Sequence, residues 1–180
     1  MTRTIAAPLA LRFDDAVRVI SCPRYPPDRM SPRYLLDSNI LVYTLDIRDP
    51  DKRQRAKEII RAVALRGSAA LPVQSLSELS NVCLRKLEPA LEPHEIRREI
   101  ERLYMAFRVI PLTAPVVMET PRGVHEHQLS YYDAQVWATA RLAQVPVVLS
   151  EDFNSGATLE GVSFLNPLDP AFDPATLDEK

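Results

Sequence analysis

The stretch Tyr34-Leu35-Leu36-Asp37-Ser38-Asn39-Ile40-Leu41-Val42-Tyr43 passes from an apolar triplet through a polar junction into a second apolar run. Three apolar residues closed by Asp-Ser-Asn read as a short strand ending at a turn. Ile40 to Leu45 then reads as a helix, with Asp37 or Ser38 placed to cap it. The triplet shows no apolar-polar alternation, which is what a strand buried on both faces requires.

The same pattern recurs downstream. Ala69 to Val73 reads as a second strand followed by a helix over Ser75 to Leu87, whose stripe is Leu76, Leu79, Cys83 and Leu87. Val109-Ile110 is a third strand. Val145 to Leu149 is a continuous apolar strand closed by Ser150-Glu151-Asp152, and Val162 to Leu165 is the last. Between them, Asp51 to Leu65 carries Ala56, Ile59, Ile60 and Val63 at helical spacing. Pro93 to Phe107 is an amphipathic, charged helix, and Pro115 to Gln128 a helix weakened or kinked around Pro121 and Gly123. Tyr132 to Ala143 is apolar on nearly every side and should be buried. Strands alternating with helices predict an α/β fold with a central, mainly parallel β-sheet flanked by helices.

Open parallel sheets bind ligands beyond the carboxyl ends of their strands. Asp37 and Asp152 stand at such ends, and Glu78 and Asp133 fall in the first turns of helices that begin near the same edge. Convergence of these acids is unfavourable without a cation, since two carboxylates ~4 Å apart repel by roughly 4 kcal/mol at an effective dielectric near 20. A divalent metal site is therefore the first expectation. Each acid taken alone has an ordinary reading. Ser75 to Glu78 and Ser130 to Asp133 match capping boxes, while Asp37 and Asp152 suit turns or caps. Their joint placement favours a site.

Taken in order, Leu35 to Tyr43, Leu76-Ser77-Glu78-Leu79, Leu129-Ser130-Tyr131-Tyr132-Asp133-Ala134, Leu149-Ser150-Glu151-Asp152-Phe153 and Asn166-Pro167 resemble the signature of PIN-domain ribonucleases. The likeness is greatest to the VapC-type toxins of bacterial type II toxin-antitoxin systems, and it covers residues 33–168. It implies a PIN-like three-layer fold and a Mg²⁺- or Mn²⁺-dependent endoribonuclease. By position, Asp37, Glu78, Asp133 and Asp152 are the family acids, Ser38 is the hydroxyl residue beside the first, and Asn39 orients the loop. A fifth acidic position of many relatives is Asn154 here, which leaves a second ion open. The resemblance also implies an RNA substrate, an antitoxin covering the active site, and a homodimer. The helices over Ser75 to Leu87 and Pro93 to Phe107 are the expected interfaces.

The chemistry points the same way. Hard cations take oxygen ligands and keep several waters, which suits carboxylates without histidine or thiolate. Such ions acidify water and stabilise charge on a phosphodiester during in-line displacement. Asp37, Asp133 and Asp152 are assigned to ligation, and Glu78 to ligation or to orienting the attacking water.

Composition sets the remaining bounds. With 180 residues, 46% hydrophobic and 26% charged, one domain suffices. A net charge of -2 argues against a surface wholly built for nucleic acid. Cys22 and Cys83 form no CxxC pair, which fits a reducing compartment, and no apolar run reaches membrane-spanning length. A cytoplasmic protein without a membrane segment is expected. Residues 1–32, with Pro8, Pro23, Pro26, Pro27 and Pro32, read as an extension. Either translation starts at Met30 or this segment docks on the domain; Pro8, Asp14 and Asp15 argue against a secretory signal. Residues 169–180 read as a C-terminal tail.

His94, His125 and His127 lack the partners of a zinc site and are expected at the surface. Arg97, Arg98, Arg102 and Arg108 could line an RNA groove or simply pair with Glu95, Glu99 and Glu101 on a solvated helix. Trp137 is expected in the core, and Tyr131 and Tyr132 are better placed to stack bases. A haloacid-dehalogenase-like phosphatase is the enzymatic rival, but it wants an aspartate where Asn39 stands. A non-catalytic PIN-like module binding RNA or protein is the other rival. Dinucleotide binding is disfavoured, since no GxGxxG follows a strand and there are only four glycines.

Overall fold

The computed structural model describes residues 31–178, so the readings of the N-terminal extension, Cys22 and Met30 lie outside the described residues. In chain order the elements are β1 (Tyr34–Leu36), α1 (Ser38–Tyr43), α2 (Pro50–Arg66), β2 (Ala69–Pro72), α3 (Val73–Arg85), α4 (Pro93–Ala106), β3 (Arg108–Ile110), α5 (Ala114–His127), α6 (Tyr131–Leu142), β4 (Val147–Leu149), β5 (Thr158–Leu159) and β6 (Val162–Leu165). A 3₁₀ turn, Pro174–Asp178, follows.

The sheet order is β3-β2-β1-β4-β6-β5. Every pairing is parallel except β5 with β6. The α/β expectation therefore holds, with one short antiparallel edge strand that the sequence reading omits. Two residues carry too little pattern to be read as a strand.

Successive strand residues point to opposite faces, and the core divides accordingly. Tyr34, Leu36, Ala69, Leu71 and Leu149 pack under α1, α2, α3 and α4. Leu35, Ala70, Val148, Val162 and Phe164 pack on the other side with Val116 of α5 and Val136, Trp137, Ala138 and Ala140 of α6. Three layers result, which is why the central strands β1, β2 and β4 read as unbroken apolar runs.

Connections leave β1 in both directions. β2 lies on one side of it and β4, reached only after α6, on the other. The C-terminal end of the β1/β4 pair is thus a topological switch point, where loops diverge and leave a crevice.

One boundary that differs from expectation bears on the site. Val73 opens α3 rather than ending β2, and the N-cap is Pro72, without a side-chain cap bond. Ser75 is thus inside the helix, where its hydroxyl donates to Leu36 O at 3.2 Å, so Ser75 and Glu78 form no capping box and Glu78 lies beyond the first turn. The helix α5 runs through Pro121 without interruption. Downstream, Leu168 and Leu177 join the core, the 3₁₀ turn packs against α2, and Arg55 donates to the carbonyls of Pro167 and Phe172.

Candidate active site

Parallel register sets Leu36 beside Leu149, so the residues that follow, Asp37 and Ser150, emerge side by side at the switch point. The Asp37 N–H extends the ladder by donating to Leu149 O at 3.1 Å. Asp37 is also the N-cap of α1, its Oδ1 accepting from Ser38 N at 2.6 Å.

Side chains from three elements then meet. The Ser38 hydroxyl donates to Glu78 Oε2 at 2.6 Å, linking α1 to α3. Ser150 Oγ donates to Asp37 Oδ2 at 2.7 Å and accepts from Asn39 Nδ2 at 2.9 Å and Asp152 N at 3.1 Å. Asn39 Nδ2 also reaches Asp152 Oδ2 at 2.9 Å and, more weakly, Asp37 Oδ2 at 3.3 Å. Asp37, Glu78 and Asp152 are therefore joined through Ser38, Asn39 and Ser150.

Asp133 arrives from the other side. Its N–H donates to Ser130 Oγ at 3.3 Å, so Ser130 caps α6 as the sequence suggests. A tie from its helix to the other acids runs through Gln74. Gln74 Nε2 donates to Glu78 Oε1 at 2.6 Å and to the Tyr132 carbonyl at 3.3 Å. Asn154 is exposed on the loop after Asp152.

Asp37 is the electrostatic centre. Burial pushes its carboxyl from 3.8 up to about 6, the nearby charges of Glu78 and Asp152 push the same way, and the bonds from Ser150 and Ser38 oppose the rise. A buried carboxylate facing two more acids is poised to gain from a cation. The donor set fits a hard ion: it offers carboxylate and hydroxyl oxygens and no soft ligand. Among the described residues, no three of the four predicted acids bring ligand atoms within 4.8 Å of one another. A pair of carboxylates with waters is the arrangement Mg²⁺ favours. Asn39 Oδ1 and Gln74 Oε1 are buried without a hydrogen-bond partner, because each amide turns its nitrogen to acidic or carbonyl oxygens.

The one triplet among the described residues that meets that distance is Glu126, His127 and Glu160. Arginines already engage its carboxylates. Arg122 donates to Glu119, Glu126 and Glu160, and Arg141 pairs with Glu119 and Glu160. Chiefly through Arg122, the Glu160 carboxyl is held down at about 2. Both guanidinium groups lie over Trp137, and His127 packs edge-on to it at 5.0 Å. His127 is thus less exposed than expected, while Trp137 is in the core as expected.

Against known proteins, the family model of the PIN domain matches residues 34–155, more than half of the chain. The chain belongs to the PIN-domain family. Solved PIN-like structures share its fold at low identity. A toxin-antitoxin complex from Klebsiella pneumoniae matches with TM-score 0.56 at 20% identity, covering 74% of this chain and 97% of that one. Mycobacterium tuberculosis VapC20, described as a sarcin-ricin loop cleaving toxin, matches with TM-score 0.54 at 18% identity, covering 71% and 97%. DNA-bound VapBC from Salmonella typhimurium matches with TM-score 0.53 at 15% identity, covering 74% and 96%. No protein of curated function is significantly similar in sequence.

Within this PIN domain, sequence reasoning passed over two polar residues, Ser150 and Gln74. Ser150 was visible only as part of a loop. Gln74 had one legible signal, its i,i+4 spacing from Glu78, which puts both on one helix face. Lys52 was also missed: it pairs with Glu151 at 2.6 Å and lies over the Tyr43 ring, bracing the loop that carries Asp152. Two α4 arginines pair with glutamates of their own helix, Arg97 with Glu101 in solvent and Arg102 with the buried Glu99.

Proposed function

We propose that this PIN domain is a metal-dependent endoribonuclease, the toxin of a toxin-antitoxin pair, acting with Mg²⁺ or Mn²⁺ on RNA. The observation that carries the reading is the junction of Asp37, Glu78 and Asp152 through Ser38, Asn39 and Ser150 at the switch point of the sheet. Membership of the PIN family supports nuclease chemistry. The description of VapC20 as a sarcin-ricin loop cleaving toxin supports RNA as the substrate, and the toxin-antitoxin assemblies support an antitoxin partner.

Asp37, Asp133 and Asp152 are the residues that would hold the ion, two of them directly and the third through a water, since among the described residues no three of the acids bring ligand atoms within 4.8 Å of one another. The bound ion would supply neutralisation of the charge developing on the phosphodiester and a lowered pKa for a bound water. Glu78, held by Ser38 Oγ and Gln74 Nε2, orients the attacking water. Ser150 and Asn39 fix Asp37 and Asp152 in one arrangement, so the ligands need little reorganisation. Tyr131 and Tyr132, exposed beside Asp133 and edge-to-face at 5.6 Å, offer apolar surface on which a base can stack.

The test is incubation of purified protein with single-stranded and structured RNA in Mg²⁺, Mn²⁺ or EDTA. Internal cleavage with either ion and none in EDTA is expected. Cleavage undiminished by EDTA would remove the metal from the account, and phosphate-monoester hydrolysis without RNA cleavage would favour the phosphatase.

A further inference from the structure

The four acids fall into two groups. Asp37, Glu78 and Asp152 are bonded into one network, whereas Asp133 stands on α6, which packs on the opposite face of the sheet. A site that depends on all four needs something to fix the α6 group against the other. One side chain spans the gap.

Gln74 is 7% exposed. Its Nε2 donates to Glu78 Oε1 at 2.6 Å in α3 and to the carbonyl of Tyr132 at 3.3 Å in α6, the residue immediately before Asp133. Both partners are acceptors, so the amide nitrogen must face them and the orientation is forced. Consequently the oxygen is left buried without a partner. Buried polar atoms are nearly always satisfied, and an orphaned acceptor is an expense that packing alone does not explain. An apolar side chain of the same shape would fill this position without it.

We propose that Gln74 is a positioning residue that ties Glu78 to the first turn of α6 and so fixes Asp133 across the crevice from Glu78. The inference rests on the reading of this crevice as the metal-dependent nuclease site. Gln74 touches no reacting atom in this scheme; it acts through Glu78 and Asp133.

The experiment compares wild type with Gln74→Met, which keeps length and removes the donor, and Gln74→Asn, which keeps the amide and shortens its reach. Mn²⁺ affinity, RNA cleavage and thermal stability are read on each. Loss of a group that orients metal ligands weakens affinity or activity by about 10–100-fold. Mn²⁺ affinity and kcat should fall by about 10-fold or more in both variants, with KM for RNA little changed and with the Met variant melting no lower than wild type. A folded Gln74→Met protein with Mn²⁺ affinity and kcat within twofold of wild type would overturn the proposal. If the Met variant does not fold, the same comparison on Gln74→Asn decides it. A wild type that binds Mn²⁺ but cuts no RNA defeats the nuclease reading alone, because the Mn²⁺ comparison still decides the role of Gln74.

Discussion

At the scale of single residues, Asp37 concentrates the conflict between stability and function. Its folded pKa of about 6 lies above the 3.8 of an unperturbed group, chiefly through burial. A carboxyl whose folded pKa is raised stabilises the fold fully below 3.8 and loses that contribution as pH rises to about 6 and beyond. The difference corresponds to roughly 3 kcal/mol, at 1.36 kcal/mol per unit. In EDTA, wild type should therefore melt lower at pH 7.5 than this residue would allow if neutral. Asp37→Asn should raise Tm at pH 7.5 and flatten its decline between pH 4 and 7. Thermal melts in EDTA across that range check the sign, and a variant melting lower than wild type at pH 7.5 would refute it. The sequence shows Asp37 at a strand end but not its burial. That burial arises because Ser150 arrives beside it at the end of β4, a strand far away in sequence.

Elements show which patterns carry their own meaning. The central strands and most helices were legible because burial of β1, β2 and β4 on both faces leaves uninterrupted apolar runs, and because α2 repeats its apolar residues at helical spacing. The start of α3 was misread, since Ser75 looks like a cap while its hydroxyl in fact bonds to the Leu36 carbonyl. Nothing local distinguishes the two. In α5, Pro121 and Gly123 read as weaknesses, yet Gly123 is where the ring of Trp137 approaches the helix. A Cβ on Gly123 would lie 2.8 Å from the Trp137 ring, closer than van der Waals contact allows. Gly123→Ala should therefore force α5 and α6 apart and destabilise the fold by about 1–3 kcal/mol, despite alanine's better helix propensity. Urea denaturation of the variant checks this, and an unchanged or raised midpoint would contradict it.

Across the whole molecule, the arrangement of strands does what no single segment can. Asp37, Glu78, Asp133 and Asp152 were legible as candidates because each follows an apolar run, and the β1/β4 switch point explains why the first and last of them meet. Of the linking groups, Ser150 was illegible because Asp37 and Asn39 are remote from it in sequence, and Gln74 was half legible, its spacing to Glu78 being local and its reach to the Tyr132 carbonyl remote. Domain shape and site thus have one origin: a sheet that turns outward in both directions from β1 opens a crevice at the end where β1 and β4 deliver their acids. The most direct measurement is RNA cleavage in Mg²⁺ or Mn²⁺ by wild type and by Asp37→Asn, with Asp51→Asn on the exposed start of α2 as control. The account predicts that the control matches wild type while Asp37→Asn loses at least about 100-fold in rate, on the scale set by loss of a group that stabilises transition-state charge. Equal cleavage by wild type and a folded Asp37→Asn protein would contradict it.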